Sequence, residues 1–308
     1  MNLFERYFTG RKEPQLELDM GMGWPEGDES TIKLFARRFK KHKLAVAGLI
    51  VIIIITLCAI FAPLIAPYDP TTVTESFGAA PSAEHLMGTD QVGRDQLSRL
   101  IYSARVSLSV GIGSILIAVV IGTVLGLISG YFGGWVDSLI MRITDMFMAF
   151  PYIMLILVVA SIVGPGLMNM IIILGVLGWP GVARLVRGNV LAIKETEYVK
   201  ASVVLGYSTP RILFSHILPN TVAPILIYAT SGIAGAILDE AALSFLGLGV
   251  QPPTPSWGNM LASAQSLTVL TSQPWLWIPP GVMIILSVLS INFVGDALRD
   301  ALDPKNKK

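Results

Sequence analysis

The chain has 308 residues, of which 53% are hydrophobic and only 14% charged, with a mean hydropathy of +0.66. Soluble domains carry about 25% charged residues, so this balance excludes an ordinary soluble domain and places the chain in the membrane class. A formal net charge of +1 gives no electrostatic case for nucleic acid, the single Cys58 allows no intrachain disulfide, and no Cys/His cluster suggests a metal site.

Residues 1–43 are polar and end in a basic run, Arg37, Arg38, Lys40, Lys41 and Lys43. Leu44 to Ala66 follows without an Asp, Glu, Lys or Arg, about 34 Å of helix against a hydrocarbon core of about 30 Å. The run is too long and too late for a cleavable signal peptide, so it reads as a retained anchor. Residues 67–105 are polar and read as a loop. The second uncharged run, Val106 to Gly130, carries Gly122, Gly126 and Gly130, with Gly134 following at the same fourfold spacing. Small residues on one helix face let two backbones approach within lipid.

Met146 to Ala183 is uncharged and too long for one crossing. Gly164-Pro165-Gly166 opposes helix continuation, so the stretch reads as a hairpin of two spans, about 138–163 and 167–185. Leu218 to Leu238 is a fifth span, extended past Asp239 and Glu240. Residues 246–274, rich in Gly, Pro, Ser, Thr and Gln, read as a loop, and Trp275 to Gly295 is the sixth span. With both termini inside, all of the 22 Lys and Arg except Arg94, Arg99 and Arg105 fall on the inner side, as the positive-inside rule asks. Trp257, Trp275 and Trp277 then suit an outer interfacial belt.

Between spans four and five, residues 186–218 form a cytoplasmic loop. Tyr198 to Leu205 reads as a short helix ended by a left-handed Gly206, and Thr209-Pro210 starts a second one. Val199, Val203, Ile212, Leu213 and Ile217 give this elbow an apolar face. The chain has no Gly-Lys dipeptide, hence no phosphate-binding loop of its own. The apolar face serves either as a handle for a separate ATPase or as a cover over its own bundle.

The elbow resembles the EAA motif of ABC-importer permeases: Lys200-Ala201-Ser202 stands at E-A-A, Gly206 matches the glycine, and His216-Ile217-Leu218-Pro219 falls on I-x-L-P with His in place of Ile. His85-x-x-Gly88-Thr89-Asp90-x-x-Gly93-Arg94-Asp95-x-x-Ser98-Arg99, running on to Arg105, resembles the segment before the second helix of C-type permeases in the dipeptide/oligopeptide/nickel branch. Glu240 to Gly249 and Asp296 to Pro304 resemble the stretches after their fifth helix and at their end. The resemblance implies an all-α integral membrane protein of the inner membrane with the type I importer permease fold: six transmembrane helices, cytoplasmic termini and a cytoplasmic coupling helix. The units are then a cytoplasmic segment 1–43, an anchor 44–66, an extracytoplasmic loop 67–105, a five-helix permease core 106–298 and a tail 299–308.

The same resemblance implies a non-catalytic subunit forming half of a pathway for dipeptides or oligopeptides, with nickel complexes or oligosaccharides as alternative cargo. Its partners are a second permease, two ATPases carrying ATP and Mg, an extracytoplasmic solute-binding protein and lipid, with no nucleic acid and no cofactor on this chain. Tyr198, Val199, Lys200, Ala201, Ser202, Gly206, Leu218 and Pro219 are the residues expected to couple to the ATPase. An ion-driven carrier is the competing class, against which stand nearly uncharged span centres and no internal repeat.

Charged groups near the membrane complete the candidates. Asp239 and Glu240 either contribute to an outer gate or sit solvated at headgroup level, capping the next helix. Asp90, Arg94, Asp95, Arg99 and Arg105 form either an interfacial structural segment or a docking surface. Arg142, near Asp137 and Asp145, is expected to pair with an acid or to snorkel. His42 and His85 are expected in water, and His216 packed on the elbow.

Overall fold

The computed structural model of the protein describes residue 37 and residues 39–302; the remainder of the expected N-terminal segment and of the tail lies outside the described residues. Among the described residues the regular structure is helical, and the one β feature is an isolated bridge between Thr89 and Asp95. Among the described residues five helices are long and apolar enough to cross a membrane, and a pair bent by 88° makes six if it counts as one span.

Helix α1 (Lys43–Ile60) has apolar residues on all sides, as a lipid-embedded anchor should. Helix α2 runs over Gln96–Phe132, ten residues earlier than the hydropathy suggested. Its start is set by Asp95, whose carboxylate accepts the Ser98 N–H at 2.8 Å and so caps the helix. At about 1.5 Å per residue, its 37 residues reach well beyond one hydrocarbon core. The first turns of α2 pack with the preceding loop segment, Tyr68 N–H donating to Ser98 Oγ at 3.0 Å.

The expected third span is two helices, α3 (Gly134–Ala149) and α4 (Tyr152–Val163), which meet at 88°. Pro151 forces the break: its ring disfavours helical Phe150, which is extended at ψ 143°. Hydropathy could not register this bend, because both arms are apolar. Helix α5 (Leu167–Lys194) follows after Gly164-Pro165-Gly166 and continues to Lys194, so residues 186–194 are helix and not loop.

Helices α2 and α5 pack in parallel along most of their lengths. The glycine ladder is the reason. A Cβ at Gly122 would lie 2.5 Å from Val182 Cβ, one at Gly126 would lie 2.7 Å from Val186 Cβ, and one at Gly130 would lie 2.7 Å from Val190 Cβ. Each glycine thus receives a valine of the facing helix, the close approach that small residues permit in lipid. Gly134 is not a rung; it starts α3 at φ +55° with open space around it.

A short helix α6 (Glu197–Val204) makes the elbow, followed by α7 (Thr209–Ile212), a π turn over Leu213–Ile217 and α8 (Leu218–Phe245). The expected second elbow helix is therefore the beginning of the fifth span. Its N-cap position is Ser208 rather than Thr209. The wide turn falls just before Pro219, which has no N–H to give to Ser215. Residues expected as an open loop instead hold α9 (Trp257–Leu261) and two further single turns, before α10 (Pro274–Leu302) closes the chain. Ser256 and Asn259 build a reciprocal cap on α9, with N···O distances of 3.1 and 3.0 Å.

Candidate functional site

Three places carry the polar and exposed apolar groups that a transport function would use: a plate of loops at one end of the bundle, an elbow at the other, and a cavity between.

At the plate, segment 67–95 is locked to the start of α2. Asp90 accepts Arg94 Nε at 2.7 Å and stands 3.5 Å from Arg99 Nε. Arg99 also donates to the carbonyls of Pro70 and Pro253, each at 3.2 Å, and so ties the two loops of the plate together. Asp95 turns its other oxygen to His85 Nδ1 at 2.9 Å. His85 is 3% exposed, which corrects its expected place in water; Tyr68 packs against its ring. Of the five docking candidates, Asp95 and Arg99 are buried, Asp90 and Arg94 line a pocket of about 120 Å³, and only Arg105 is exposed.

Glu240 belongs to this plate and not to the headgroup layer, since it is fully buried. Its carboxylate accepts Ser107 Oγ at 3.0 Å and Ser244 Oγ at 2.7 Å. Those two hydroxyls in turn accept the backbone N–H of Trp257 and of Val250, each at 3.2 Å. One carboxylate thereby fixes the loop after α8 and the start of α9 against α2. A buried charge is tolerated only with such partners. Trp257 is buried in the core cluster beside Leu100 and Ile237, so it is no part of an interfacial belt. Sequence reading gave Ser107 and Ser244 no role beyond their place in the family-like stretches, because nothing local in either stretch shows that a carboxylate 133 positions from Ser107 meets it.

The acids of α3 find partners on α5. Asp137 accepts Arg187 Nε and Nη2, both at 2.6 Å, and Asp145 accepts Arg184 Nη2 at 2.6 Å. Arg142 is exposed and has no acid beside it among the described residues, which leaves snorkelling, not pairing, of the two expectations for it.

At the elbow, α6 ends in a Schellman turn. Gly206 adopts φ +78°, its N–H reaches Val203 O at 3.0 Å, and the Tyr207 N–H reaches Ser202 O at 3.1 Å. His216 stacks on Tyr207 with ring centroids 6.0 Å apart, and Arg211 lies over the same tyrosine at 4.3 Å. Of the expected apolar stripe Val203 is exposed, and the exposed apolar surface extends to Val204 and Leu205, which the stripe did not include. Val199, Ile212 and Ile217 are buried against Val186, Val190 and Leu127 of the chain's own bundle. Val204 and Leu205, by contrast, are 86% and 71% exposed.

The residues expected to couple divide the same way. Val199 and Ser202 face inward and Leu218 is half-buried, whereas Tyr198, Lys200, Ala201, Gly206 and Pro219 are exposed. Lys200 pairs with Glu195 at 2.9 Å, and this hydrogen bond holds the Glu195 carboxyl below its ordinary range.

Between the two ends, α2, the α3–α4 bend, α5 and α8 enclose a cavity of about 470 Å³. Ser114, Phe147, Tyr152, Gly178, Tyr228 and Asp239 are among its lining residues. Asp239 and Glu240, adjacent in sequence, thus end in different places: one on the cavity, one inside the plate.

The described residues hold no group of three or more His, Cys, Asp or Glu able to bind a metal. Residues 122–308 match the family described as binding-protein-dependent transport system inner membrane component. Residues 30–81 match the N-terminal transmembrane domain of oligopeptide transport permease C. The dipeptide transport system permease protein DppC of Alkalihalophilus pseudofirmus is 47% identical over 88% of this chain and 89% of its own length. The di/tripeptide transport system permease protein DppC of Pseudomonas aeruginosa is 45% identical over 90% and 93%. The glutathione transport system permease protein GsiD of Escherichia coli is 41% identical over 98% and 99%.

Proposed function

Because this chain belongs to the binding-protein-dependent inner-membrane component family, and is thus a multi-pass, non-catalytic permease subunit of an ABC importer, we propose that it forms half of an ATP-driven pathway for dipeptides and oligopeptides. A second permease completes the pathway, two ATPases carrying ATP and Mg drive it, and an extracytoplasmic solute-binding protein delivers cargo. Three relatives named for dipeptide, di/tripeptide and glutathione transport support peptide-like cargo over nickel complexes or oligosaccharides.

Both termini and the elbow lie in the cytoplasm, and the plate faces outward. The distribution of basic residues supports this orientation. Asp90, Arg94 and Arg105 then offer polar groups to the binding protein, while Asp95, Arg99 and Glu240 hold the plate in shape.

The observation that carries the proposal is the divided elbow. Its inner apolar half anchors α6 to α2, α5 and the start of α8, so a push on the tip moves the bundle. Its outer half, Tyr198, Val203, Val204 and Leu205, is exposed apolar surface where a soluble ATPase would dock. The hydrophobic contact supplies affinity, and the Schellman turn at Gly206 supplies rigidity.

Replacing Gly206 by Val forces a β-branched residue into a left-handed conformation, a cost of about 1–2 kcal/mol. ATP-driven peptide uptake in proteoliposomes of the complete complex should fall at least tenfold while membrane insertion is unchanged. Unaltered uptake would sink the coupling assignment. Uptake that disappears when the membrane potential is collapsed, with ATP present, would favour an ion-driven carrier.

A further inference from the structure

The cavity between α2, the α3–α4 bend, α5 and α8 is lined by aromatic, aliphatic and small residues, with one exception. Among the described residues that line it, Asp239 is the only carboxylate and there is no Lys, Arg or His. The Asp239 side chain makes no hydrogen bond and no ion pair with any described residue, in contrast to Glu240 beside it. It is half-buried, on the cavity side of α8. A membrane-embedded carboxylate is costly unless a partner answers it, and here the described residues provide none.

Accepting the peptide-transport reading above, we propose that Asp239 is a charge filter in the translocation path that receives a cationic group of the cargo, a peptide ammonium or a lysine or arginine side chain, and disfavours anionic cargo. The volume, about 470 Å³, falls in the usual range of ~300–1,000 Å³ for small-molecule sites. Low-dielectric walls strengthen the field of a lone charge, so an ammonium entering the cavity is drawn to it and a second carboxylate is repelled. The tyrosines at 152 and 228 line the same cavity and place hydroxyl-bearing rings where a peptide backbone would pass. The filter needs no chemistry on the cargo, only passage.

The test uses the complete complex in proteoliposomes with ATP and the binding protein saturated with cargo. Uptake of a tripeptide with a central lysine is compared with that of its twin with a central glutamate. In Asp239→Asn the preference for the lysine peptide should shrink roughly tenfold, as expected when one charge-assisted hydrogen bond is removed. Asp239→Glu should keep it.

A second variant leaves Asp239 in place. Gly235 is one turn earlier on α8, lines the same cavity and has open space where a Cβ would stand. Gly235→Lys sets an ammonium at the i,i+4 position, which should cancel the preference by pairing with Asp239. A lysine-to-glutamate ratio that stays at the wild-type value in both Asp239→Asn and Gly235→Lys overturns the filter, whether total uptake is intact or uniformly lowered. If the wild-type complex imports neither peptide with ATP, the transport reading itself fails, a result distinct from an Asp239-independent ratio.

Discussion

The plate and the elbow treat their side chains in opposite ways. At the plate, His85, Asp90, Arg94, Asp95, Arg99 and Glu240 are all paired within the chain, most of them out of water. At the elbow, Val204 and Leu205 stand almost free of the chain, carried on a turn held by backbone hydrogen bonds. One end is closed on itself by polar contacts and the other leaves an apolar surface uncovered. The contrast separates a region built for shape from one built to be gripped.

Arg99→Ala is the sharpest way to break that contrast. It removes a buried guanidinium; Asp90 keeps Arg94 at 2.7 Å, but the carbonyls of Pro70 and Pro253 lose their donor, at a cost of about 1–3 kcal/mol each. For a chain of this size, the melting temperature in detergent should fall by about 10 °C. Protease sensitivity of segment 67–95 should rise in parallel. A stable Arg99→Ala with an intact plate would mean that the loops are held elsewhere.

A double change at the elbow, Val204→Asp with Leu205→Asp, should do the reverse. Surface substitutions alter stability by about 0.5 kcal/mol or less, so the melting temperature should stay put. Co-purification with the ATPases should nevertheless drop severalfold, because an apolar contact has been replaced by charge that must be desolvated. A lowered melting temperature with undiminished ATPase capture would make the tip structural.

The smallest effect is expected at the surface pair of the elbow. Lys200→Ala releases the Glu195 carboxyl, whose titration should move up towards the ordinary range. Because the folded value is the depressed one, the pair contributes above the unfolded pKa and is lost as pH falls through the folded value. Exposed pairs contribute little, so uptake at neutral pH should change by less than about twofold. A large loss would instead show that Lys200 touches the ATPase directly.

Much of this architecture was legible beforehand. Uncharged runs marked the crossings because lipid excludes charge, and Gly122, Gly126 and Gly130 pointed to a close helix pair because small residues on one face let two backbones approach, whereas Gly134 at the same spacing serves only to start a helix. Gly206 marked the elbow's corner through its conformational freedom. The bend at Phe150-Pro151 escaped notice, since hydropathy averages over both arms and cannot tell a straight apolar stretch from a folded one. The early start of α2 escaped for a related reason: Asp95 and Arg99 look like loop residues until a cap and two carbonyls are seen to hold them.

The linear order of residues thus determined that the protein is helical, embedded in lipid, and equipped with an amphipathic elbow. Those are local properties, set by residue type and period. Tertiary structure alone decided where each ionisable side chain ends. Asp137 meets Arg187 fifty positions away, and Glu240 meets Ser107 at a separation of 133. Adjacent residues on a helix point about 100° apart, so Asp239 and Glu240 face different surroundings, one a cavity and the other a ring of hydroxyls. Which surroundings those are depends on how the helices pack, and no local pattern in the sequence encodes it.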